Sequence, residues 1–255
     1  MENKSSVKLY WWAKNNNFGD YLSPLMFNHY TKVAPIWAEP AAAQVLLTGS
    51  NLDVIPHLGW RGVVAGAGML HSYTRVDVSK ARVLGVRGLL TAENLTGLPE
   101  EYTLGDPGLL ASELVFPERS TIGIGVVPHW TDTELWPREL ANSRKYGYGP
   151  VTLINPTEPP LEVIRKIGSC DKIITSSLHA VIVADSFSLP RRVEKFDKMD
   201  TSPHEGDEFK FQDYASALGT EITFGKMEWA PKEMVDTRKA ELYNMMKELS
   251  RLVHA

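Results

Sequence analysis

The stretch at residues 173–190, IITSSLHAVIVADSFSLP, decides the fold class of this chain. Its first residues form a short apolar run, typical of a buried strand, and from residue 178 small and branched apolar residues predict a helix. His179 lies where the predicted strand gives way to the predicted helix. A strand followed directly by a helix is the repeating unit of an α/β fold, so we expect the same unit elsewhere in the chain.

Further apolar runs of strand length are bounded by Gly, Pro or Asn. They read VKLYWWA, QVLLTG, GVVAGAG, ARVLGVR, TIGIGVVPH, PVTLIN and RRVEKF. Several are apolar throughout, which is typical of parallel strands covered on both faces. Helices are predicted at residues 24–31, 91–95, 133–144, 160–168, 178–189 and 232–253, with Ser23 and Pro24 as the cap and first residue of the first helix. The alternation predicts an α/β fold with a mostly parallel sheet.

A proline and charged residues separate two apolar blocks at residues 114–123, LVFPERSTIG. We therefore expect an N-terminal half at residues 1–117, a similar C-terminal half at 118–227, and a final helix at 228–255 that packs across both. The final helix carries apolar residues at helical spacing, which favours core packing. These residues are Val235, Leu242, Met246, Leu249 and Val253.

Composition excludes several classes of protein. The chain has 255 residues, 43% of them hydrophobic, enough to bury a sizeable core. Its net charge of −4 gives no general attraction to nucleic acid. A single cysteine, Cys170, excludes an internal disulfide framework. The N-terminal sequence lacks the apolar segment of a signal peptide, and no run approaches the ~20 apolar residues of a spanning helix. We expect a cytoplasmic protein.

Polar residues and glycines follow the predicted strands. They are Asn17, Gly19, Asp20, Gly66, Gly68, His71, Arg87, Asp106, His129, Ser177, His179 and Lys198. In open α/β sheets ligands bind beyond the carboxyl ends of the strands. Glycine turns let the backbone approach a ligand, and helix N-termini attract anions. The cations and histidines among these residues suit a ligand that carries phosphate or carboxylate.

Each of these positions also has a structural interpretation. The GAG at residues 66–68 lacks the third glycine of a dinucleotide fingerprint, which favours a tight turn. Asp106 in GDPG is typical of turn chemistry. Arg87 is open to an ion pair with a neighbour, and Lys198 lies in a charged run of the kind that is usually solvated. For His179 the alternative is a hydrogen-bonded core histidine. The remaining alternatives are surface packing for His129, helix entry for Asp20 and a small buried hydrophobe for Cys170.

The sequence lacks the motifs of several well-known classes of catalytic site. Ser176 and Ser177 lack the G-x-S-x-G elbow of α/β-hydrolases. H-E-x-x-H, C-x-x-C, EF-hand and P-loop patterns are missing from the sequence. We therefore expect no dedicated metal site, and no P-loop phosphotransferase chemistry.

An ordered set of motifs resembles the polysaccharide pyruvyl transferase family, in particular the bacterial exopolysaccharide ketal-pyruvate transferases. The set comprises NFGD at 17–20, GAG at 66–68, LGVRGLLTAENL at 84–95, LGDPGLL at 104–110, IGIGVVPH at 122–129, and the stretch at 173–190 followed by FDK at 196–198. The resemblance implies a glycosyltransferase-B-like architecture, in which two Rossmann-like domains with mostly parallel sheets face a cleft.

The resemblance also implies a reaction. Members of the family move pyruvate from phosphoenolpyruvate onto a sugar, forming a ketal on an exopolysaccharide or its lipid-linked precursor. An enzyme of this kind needs no cofactor, and it would work in the cytoplasm or at the inner face of the cytoplasmic membrane, with at most peripheral membrane contact. The donor's carboxylate and phosphate require cations and oriented N–H groups.

Site residues are carried over from the family by position. His179 matches the catalytic histidine, Arg87 the arginine in VRG, and Lys198 the lysine that follows the histidine. Many members have Arg-Leu-His where this chain has Ser177, Leu178 and His179, so Lys198 or Arg191 would replace the missing guanidinium. We predict His179 and Arg87 as catalytic. The predicted substrate-binding residues are Lys198, Ser177, Asn17, Gly19, Asp20, Gly68 and His129.

Two other functions fit the same fold. The first is a glycosyltransferase that uses a nucleotide sugar and would bind a nucleoside diphosphate. The second is a non-catalytic sugar-binding protein, for which the serine at residue 177 in place of arginine is the main argument.

Overall fold

The computed structural model describes residues 6–55, 59–117, 122–132, 151–194 and 205–255. Its strands are β1 (Val7–Leu9), β2 (Pro35–Trp37), β3 (Val45–Leu46), β4 (Val63–Ala65), β5 (Val76–Asp77), β6 (Arg82–Val86), β7 (Leu95–Thr96), β8 (Thr103–Leu104), β9 (Ile122–Val127), β10 (Val151–Leu153), β11 (Cys170–Thr175), β12 (Arg191–Val193) and β13 (Met227–Glu228). Its α-helices are α1 (Phe18–Thr31), α2 (Leu89–Glu93), α3 (Pro160–Gly168), α4 (Leu178–Ser186), α5 (Glu205–Ala217) and α6 (Lys232–His254). A 3-10 helix, Pro107–Glu113, follows β8.

The first sheet has six parallel strands in the order β2-β1-β3-β4-β6-β8. The chain leaves β1 for the β2 edge and returns on the other side at β3, so the strand order reverses between β1 and β3. At such a reversal the connections diverge and open a crevice beyond the carboxyl ends, where ligands bind in open α/β sheets. The segments bordering this crevice run from β1 into α1 and from β3 through residues 47–51.

The second sheet has five strands in the order β10-β9-β11-β12-β13. All neighbouring pairs are parallel except β12 and β13, which are antiparallel. Here the order reverses between β9 and β11. The carboxyl end of β9 leads to His129, and that of β11 leads to the turn that carries His179. The prediction of an α/β fold with mostly parallel sheets is confirmed.

Helices lie between the two sheets and join them. One hydrophobic cluster includes Leu9 and Leu22 from the first half of the chain and Ile173 and Val181 from the second. Helix α4 contacts α1 and the 3-10 helix Pro107–Glu113. Apart from His179, its residues are all buried, which explains why it is apolar on every face. The carboxyl ends of both sheets therefore come together around α1 and α4.

The first helix begins earlier than predicted. Helix α1 starts at Phe18, with Asn17 at the cap position, and Pro24 lies inside it. The prediction of a start at Pro24, capped by Ser23, is wrong. The side chain of Asn17 accepts a hydrogen bond from Gly19 N, and this capping bond fixes the true start. Ser23 is instead buried, with its hydroxyl near Thr48 N.

Other differences from prediction are smaller. Helix α4 ends at Ser186 because Ser188 adopts a left-handed conformation and Leu189 N donates to Ala184 O. Strands β2, β5, β7, β8 and β13 and helix α5 were not predicted. The helix predicted at 133–144 lies outside the described residues. The helices predicted at 160–168 and 232–253 are present as α3 and α6.

The final helix packs mainly against the first half. Helix α6 contacts α1, the 3-10 helix and strands β4, β6 and β8. Polar bonds reach the second half: Lys239 Nζ donates to Ser186 O at 2.6 Å and Arg238 Nε donates to Ala217 O at 2.6 Å. The division at residues 117 and 118 stays a prediction. Across the described ranges, no helix combines the length and apolarity needed to cross a bilayer.

Candidate active site

His179 lies in the first turn of α4, between two glycines, Gly19 at the start of α1 and Gly49 in the loop after β3. A Cβ atom built on Gly19 would lie 2.2 Å from His179 Nδ1, and one built on Gly49 would lie 3.9 Å from Nε2. Nε2 is buried, and no hydrogen-bond partner for it occurs among the described residues. The residue as a whole is partly exposed. The imidazole is thus positioned by close packing and keeps one buried nitrogen unpaired.

The surroundings of His179 keep its ring neutral. Burial lowers the pKa of His179 to about 3, and the positive charges of Arg87, Lys210 and His129 lower it further. A neutral imidazole can accept a proton from a substrate hydroxyl. A pKa near 3 makes the imidazole a weak base in the ligand-free protein, and an anionic ligand bound beside it would raise that pKa by offsetting the nearby positive charges.

The turn before His179 is fixed by Thr175. Its hydroxyl donates to Val127 O at 2.5 Å and accepts from Ser177 N at 2.8 Å, which ties β11 and the turn to β9. Ser177 occupies the cap position of α4, but its side chain makes no capping bond. His129 is held close by: its backbone N donates to Ser176 Oγ at 2.8 Å.

The N-terminus of α1 forms the other wall of the site. Asn17 Oδ1 accepts from Gly19 N at 3.3 Å, and Asn17 Nδ2 donates to Asp20 Oδ2 at 2.8 Å. Phe18 N donates to Pro156 O at 2.8 Å, which anchors this end of α1 to the loop after β10. Burial raises the pKa of Asp20 to about 6, although the Asn17 bond and the charge of Lys210 oppose this shift. The structure thus brings Gly19 to His179, and the hydrogen bonds of Asn17 hold Gly19 and Asp20 in the same first turn of α1.

Arg87 is fully buried and fully engaged. Its Nε donates to Asp213 Oδ2 at 2.7 Å, Nη1 to Ser50 Oγ at 2.5 Å and Nη2 to Met69 O at 2.6 Å. A Cβ on Gly68 would lie 2.3 Å from Arg87 Cζ, so this glycine makes room for the guanidinium. This arrangement agrees with the alternative in which Arg87 forms an ion pair with a neighbouring residue. Direct participation of Arg87 and Gly68 in substrate binding stays a prediction.

Comparison with known proteins identifies the family. The family described as polysaccharide pyruvyl transferase matches residues 6–192, most of the chain. The chain belongs to the polysaccharide pyruvyl transferase family. The matched region includes Gly19, Gly49, Arg87 and His179 and stops before Lys198.

Two curated relatives are similar to this pyruvyl transferase family member. The succinoglycan biosynthesis protein ExoV of Rhizobium meliloti (strain 1021) is 30% identical over 222 residues, which cover 82% of this chain and 64% of that protein. The uncharacterized protein L143 of Acanthamoeba polyphaga mimivirus is 26% identical over 234 residues, covering 86% of this chain and 76% of that protein. The chain therefore spans less than two thirds of ExoV.

Lys198 and Arg191 are the two cations predicted to replace the guanidinium that is missing at residue 177. Lys198 lies outside the described residues. Arg191 is buried, with Nε 2.9 Å from Asp185 Oδ1 and Nη1 3.1 Å from Glu228 Oε1. It begins β12, whereas Ser177 follows the carboxyl end of β11, which runs parallel to β12. These ion pairs give Arg191 a structural role in the core of this family member, and its contact with the donor stays a prediction.

Sequence reasoning missed Lys210 and Asp213, which α5 places near the site. Lys210 is 8% exposed, and its charge affects the pKa of both His179 and Asp20. Asp213 pairs with Arg87 and accepts a hydrogen bond from Thr91 N at 2.6 Å. The signal available was FKFQDY at 209–214, in which a lysine and an aspartate three residues apart stand among aromatic residues.

Asp106 has the turn role predicted for it. Its side chain accepts from Gly108 N at 2.8 Å and caps the 3-10 helix Pro107–Glu113. Its other oxygen accepts from Gly49 N at 3.4 Å, so it also positions the loop that faces His179. Burial raises the pKa of Asp106 to about 6. Within the described part of the chain, no three His, Cys, Asp or Glu side chains form a group able to hold a metal ion.

Proposed function

We propose that this chain transfers pyruvate from phosphoenolpyruvate onto a sugar of an exopolysaccharide or of its lipid-linked precursor, forming a pyruvate ketal. The observation that carries the proposal is His179, a neutral imidazole wedged between Gly19 and Gly49 with Nε2 unpaired. Membership of the polysaccharide pyruvyl transferase family supplies the reaction class. The lipid linkage and the position at the inner face of the membrane rest on the family resemblance alone.

The chemistry balances with two sugar hydroxyls. Protonation of the donor's methylene carbon makes C2 electrophilic, and the first hydroxyl attacks C2. The bond from C2 to the phosphate oxygen then breaks, and the second hydroxyl attacks C2 to close the ketal. One hydroxyl proton ends on the new methyl group and the other leaves with inorganic phosphate. His179 accepts a proton from an attacking hydroxyl and passes it on, as general base and then general acid.

Asp20 is suited to the complementary proton transfer. Its raised pKa, about 6, leaves part of the population protonated near neutral pH, while the lowered pKa of His179 keeps the imidazole neutral. Asp20 follows Gly19, the residue that packs against the imidazole, and two groups in one site whose pKa values are shifted in opposite directions can act as acid and base. Asp20 therefore supplies the proton for the methylene carbon in this proposal.

The donor's anionic groups require cations. In this proposal Lys198 contacts the donor, as the resemblance implies, and the buried charge of Lys210 adds to the positive potential around His179. Arg87 contributes its charge from a fixed position behind Gly68. The donor lies between the crevices of the two sheets, in the cleft of a glycosyltransferase-B-like pair of Rossmann-like halves.

The test is incubation with phosphoenolpyruvate and a panel of hexosides, measuring phosphate release and a gain of one pyruvylidene mass. His179→Gln keeps the bulk of the side chain but cannot transfer protons near neutral pH. Because positioned proton transfer contributes about 10²–10⁴-fold, kcat should fall by that factor while circular dichroism and the thermal melt stay close to wild type.

The outcomes also separate the other functions. A folded His179→Gln protein that keeps more than about a tenth of wild-type turnover contradicts the acid–base role. Calorimetric binding of uridine or guanosine diphosphate without binding of phosphoenolpyruvate would favour a nucleotide-sugar glycosyltransferase. Glycan binding without phosphate release from any acceptor would favour a non-catalytic sugar-binding protein.

A further inference from the structure

Two segments beside His179 contain polar atoms that the fold leaves unsatisfied. The segments are residues 48–53, which follow β3 and enter a short 3-10 helix at Leu52, and residues 68–71, which follow β4; together they are called here the polar ledge. In the described structure, Thr48 Oγ1, Asn51 Oδ1, Asp53 Oδ1 and His71 Nδ1 are buried without a hydrogen-bond partner. Buried polar atoms are nearly always paired in folded proteins, so a group of unpaired ones requires an explanation. Asn51 is 8% exposed and Thr48 is 1% exposed.

The polar ledge is held firmly by its own backbone. Asn51 N donates to Gly68 O at 2.9 Å, and Gly68 N donates to Gly49 O at 2.9 Å. The second carboxylate oxygen of Asp53 accepts from Leu70 N at 2.7 Å and from His71 N at 3.1 Å. The backbone therefore holds the residues that carry the unpaired atoms at fixed positions, as a preorganised binding site requires.

One end of the polar ledge meets the imidazole of His179. The point where Gly49 would carry a Cβ lies 3.7 Å from Asn51 Nδ2 and 3.9 Å from His179 Nε2. The side-chain amide of Asn51 and the unpaired nitrogen of His179 thus border the same small space. A hydroxyl group placed there can donate to one of these groups and accept from the other.

The other end of the polar ledge carries a pair of stacked rings, of which Tyr73 is exposed and His71 partly buried. The rings of His71 and Tyr73 are stacked, with centroids 4.9 Å apart and planes 15° apart, and Tyr73 is 72% exposed. A pyranose ring has an apolar face of C–H groups that packs on an aromatic ring, while its hydroxyls bond to amide and carboxylate oxygens. The carboxylate of Asp53 would repel the anionic donor, which favours a neutral sugar at this end.

We propose that the polar ledge and Tyr73 form the subsite for the acceptor sugar. Asn51 holds the reacting hydroxyl beside His179 Nε2, and Tyr73 packs against a sugar ring farther along the ledge. The assignment rests on the proposed function for the identity of the reaction. It adds the place where the glycan binds and the residues that select it.

The test compares acceptor and donor kinetics in matched variants. Asn51→Ala and Tyr73→Ala should each raise the acceptor KM about 3- to 10-fold, the loss expected for one hydrogen bond or one packing contact, and leave the phosphoenolpyruvate KM unchanged. Tyr73→Phe keeps the ring and should behave as wild type. Phe116→Ala is the control for removal of an exposed aromatic residue, because Phe116 is 95% exposed.

Binding measurements make the result independent of turnover. Saturation-transfer NMR with methyl hexosides should show binding to the wild type and weaker binding to Tyr73→Ala, whose exposed side chain is not needed for folding. If both Ala variants keep the wild-type acceptor KM, or if the wild type binds no glycoside, the subsite assignment is wrong. If the wild type releases no phosphate from phosphoenolpyruvate, the proposed function fails. In that case unequal glycoside binding by wild type and Tyr73→Ala still supports a glycan subsite, and equal binding rejects it.

Discussion

Arg87 and His179 are two polar side chains that follow the carboxyl ends of strands in different sheets, and the protein treats them in opposite ways. Arg87 finds an acceptor for each of its three nitrogens in Asp213, Ser50 and Met69. His179 keeps Nε2 unpaired and is surrounded by positive charges that oppose its protonation. A buried charge whose partners are present helps to hold the fold in place, whereas a buried polar atom without a hydrogen-bond partner lowers stability and calls for a functional explanation. The difference favours Arg87 as the framework of the site and His179 as its reactive group.

Removal of Arg87 should give the largest effect. Arg87→Ala leaves Asp213 buried without its cation, and loss of one partner of a buried pair typically costs about 3–5 kcal/mol of unfolding free energy. Urea denaturation measures this loss. Arg82→Ala is the matched control, because Arg82 begins the strand that ends just before Arg87 and pairs with Glu248 at the surface, where about 0–1 kcal/mol is expected. Equal losses in the two variants would contradict the framework role of Arg87.

A methyl group at Gly19 should disturb His179 without removing it. The new Cβ would lie 2.2 Å from Nδ1 and 2.8 Å from the Cβ of His179, so the imidazole must shift. Misplacement of a catalytic group by about 1 Å can lower kcat on the order of 10²-fold. Gly19→Ala should therefore lose activity while the donor KM changes little, and the clash with the Cβ of His179 should lower the unfolding free energy by about 1–3 kcal/mol.

The double variant shows whether Gly19 acts through His179. If it does, adding Gly19→Ala to His179→Ala should cause no further loss of turnover, because the two changes affect one interaction. Additive losses would mean that Gly19 contacts the substrate independently.

The apolar strands that lead to the site and the position of His179 could be predicted from the sequence, because apolar runs and the strand-to-helix change are local patterns, whereas the short strands β2, β5, β7, β8 and β13 could not. The partners of the site residues could not. Arg87 and Asp213 are separated by 126 residues, so their ion pair depends on how α5 packs against α2. Helix α5 was missed since Lys210 and Asp213 place charges on its buried side and interrupt the apolar periodicity. Asn51, in TGSNLDV, has only the pattern of a turn.

The start of α1 shows the limit of a single local rule. Proline at the first position of a helix is a common pattern, and it predicted a start at Pro24. Asn17 supplies a competing signal, a side chain that caps Gly19 N, and packing of Phe18 and Leu22 in the core extends the helix back to it. Gly19 reaches His179 only because the helix begins at this earlier residue.

The smallest expected effect concerns the way in which the unfolding free energy depends on pH. It tests whether the surroundings of His179 oppose protonation of its imidazole, in contrast to the paired charge of Arg87. The pKa of His179 is lowered from 6.5 to about 3 in the folded protein. As the pH falls below 6.5 the unfolded chain therefore takes up a proton that the folded chain refuses. The unfolding free energy should fall by at most about 1.4 kcal/mol per pH unit, and by less because the residue is partly exposed.

Asp20 and Asp106 change the unfolding free energy in the opposite direction over part of the same pH range. Their pKa values are raised from 3.8 to about 6, so the folded protein takes up these protons first and gains stability as the pH falls from 6 towards 3.8. The contributions of the histidine and of the two aspartates partly cancel in the wild type, and the difference between wild type and His179→Gln isolates the contribution of the histidine.

Urea denaturation between pH 7.5 and 4.5 measures this difference. His179→Gln should lose less unfolding free energy than the wild type as the pH falls, and His254→Gln, a change at the exposed end of α6, serves as the control. Parallel curves for wild type and His179→Gln would mean that the imidazole is protonated as readily in the folded chain as in the unfolded one. The contrast with Arg87 would then lose its electrostatic basis.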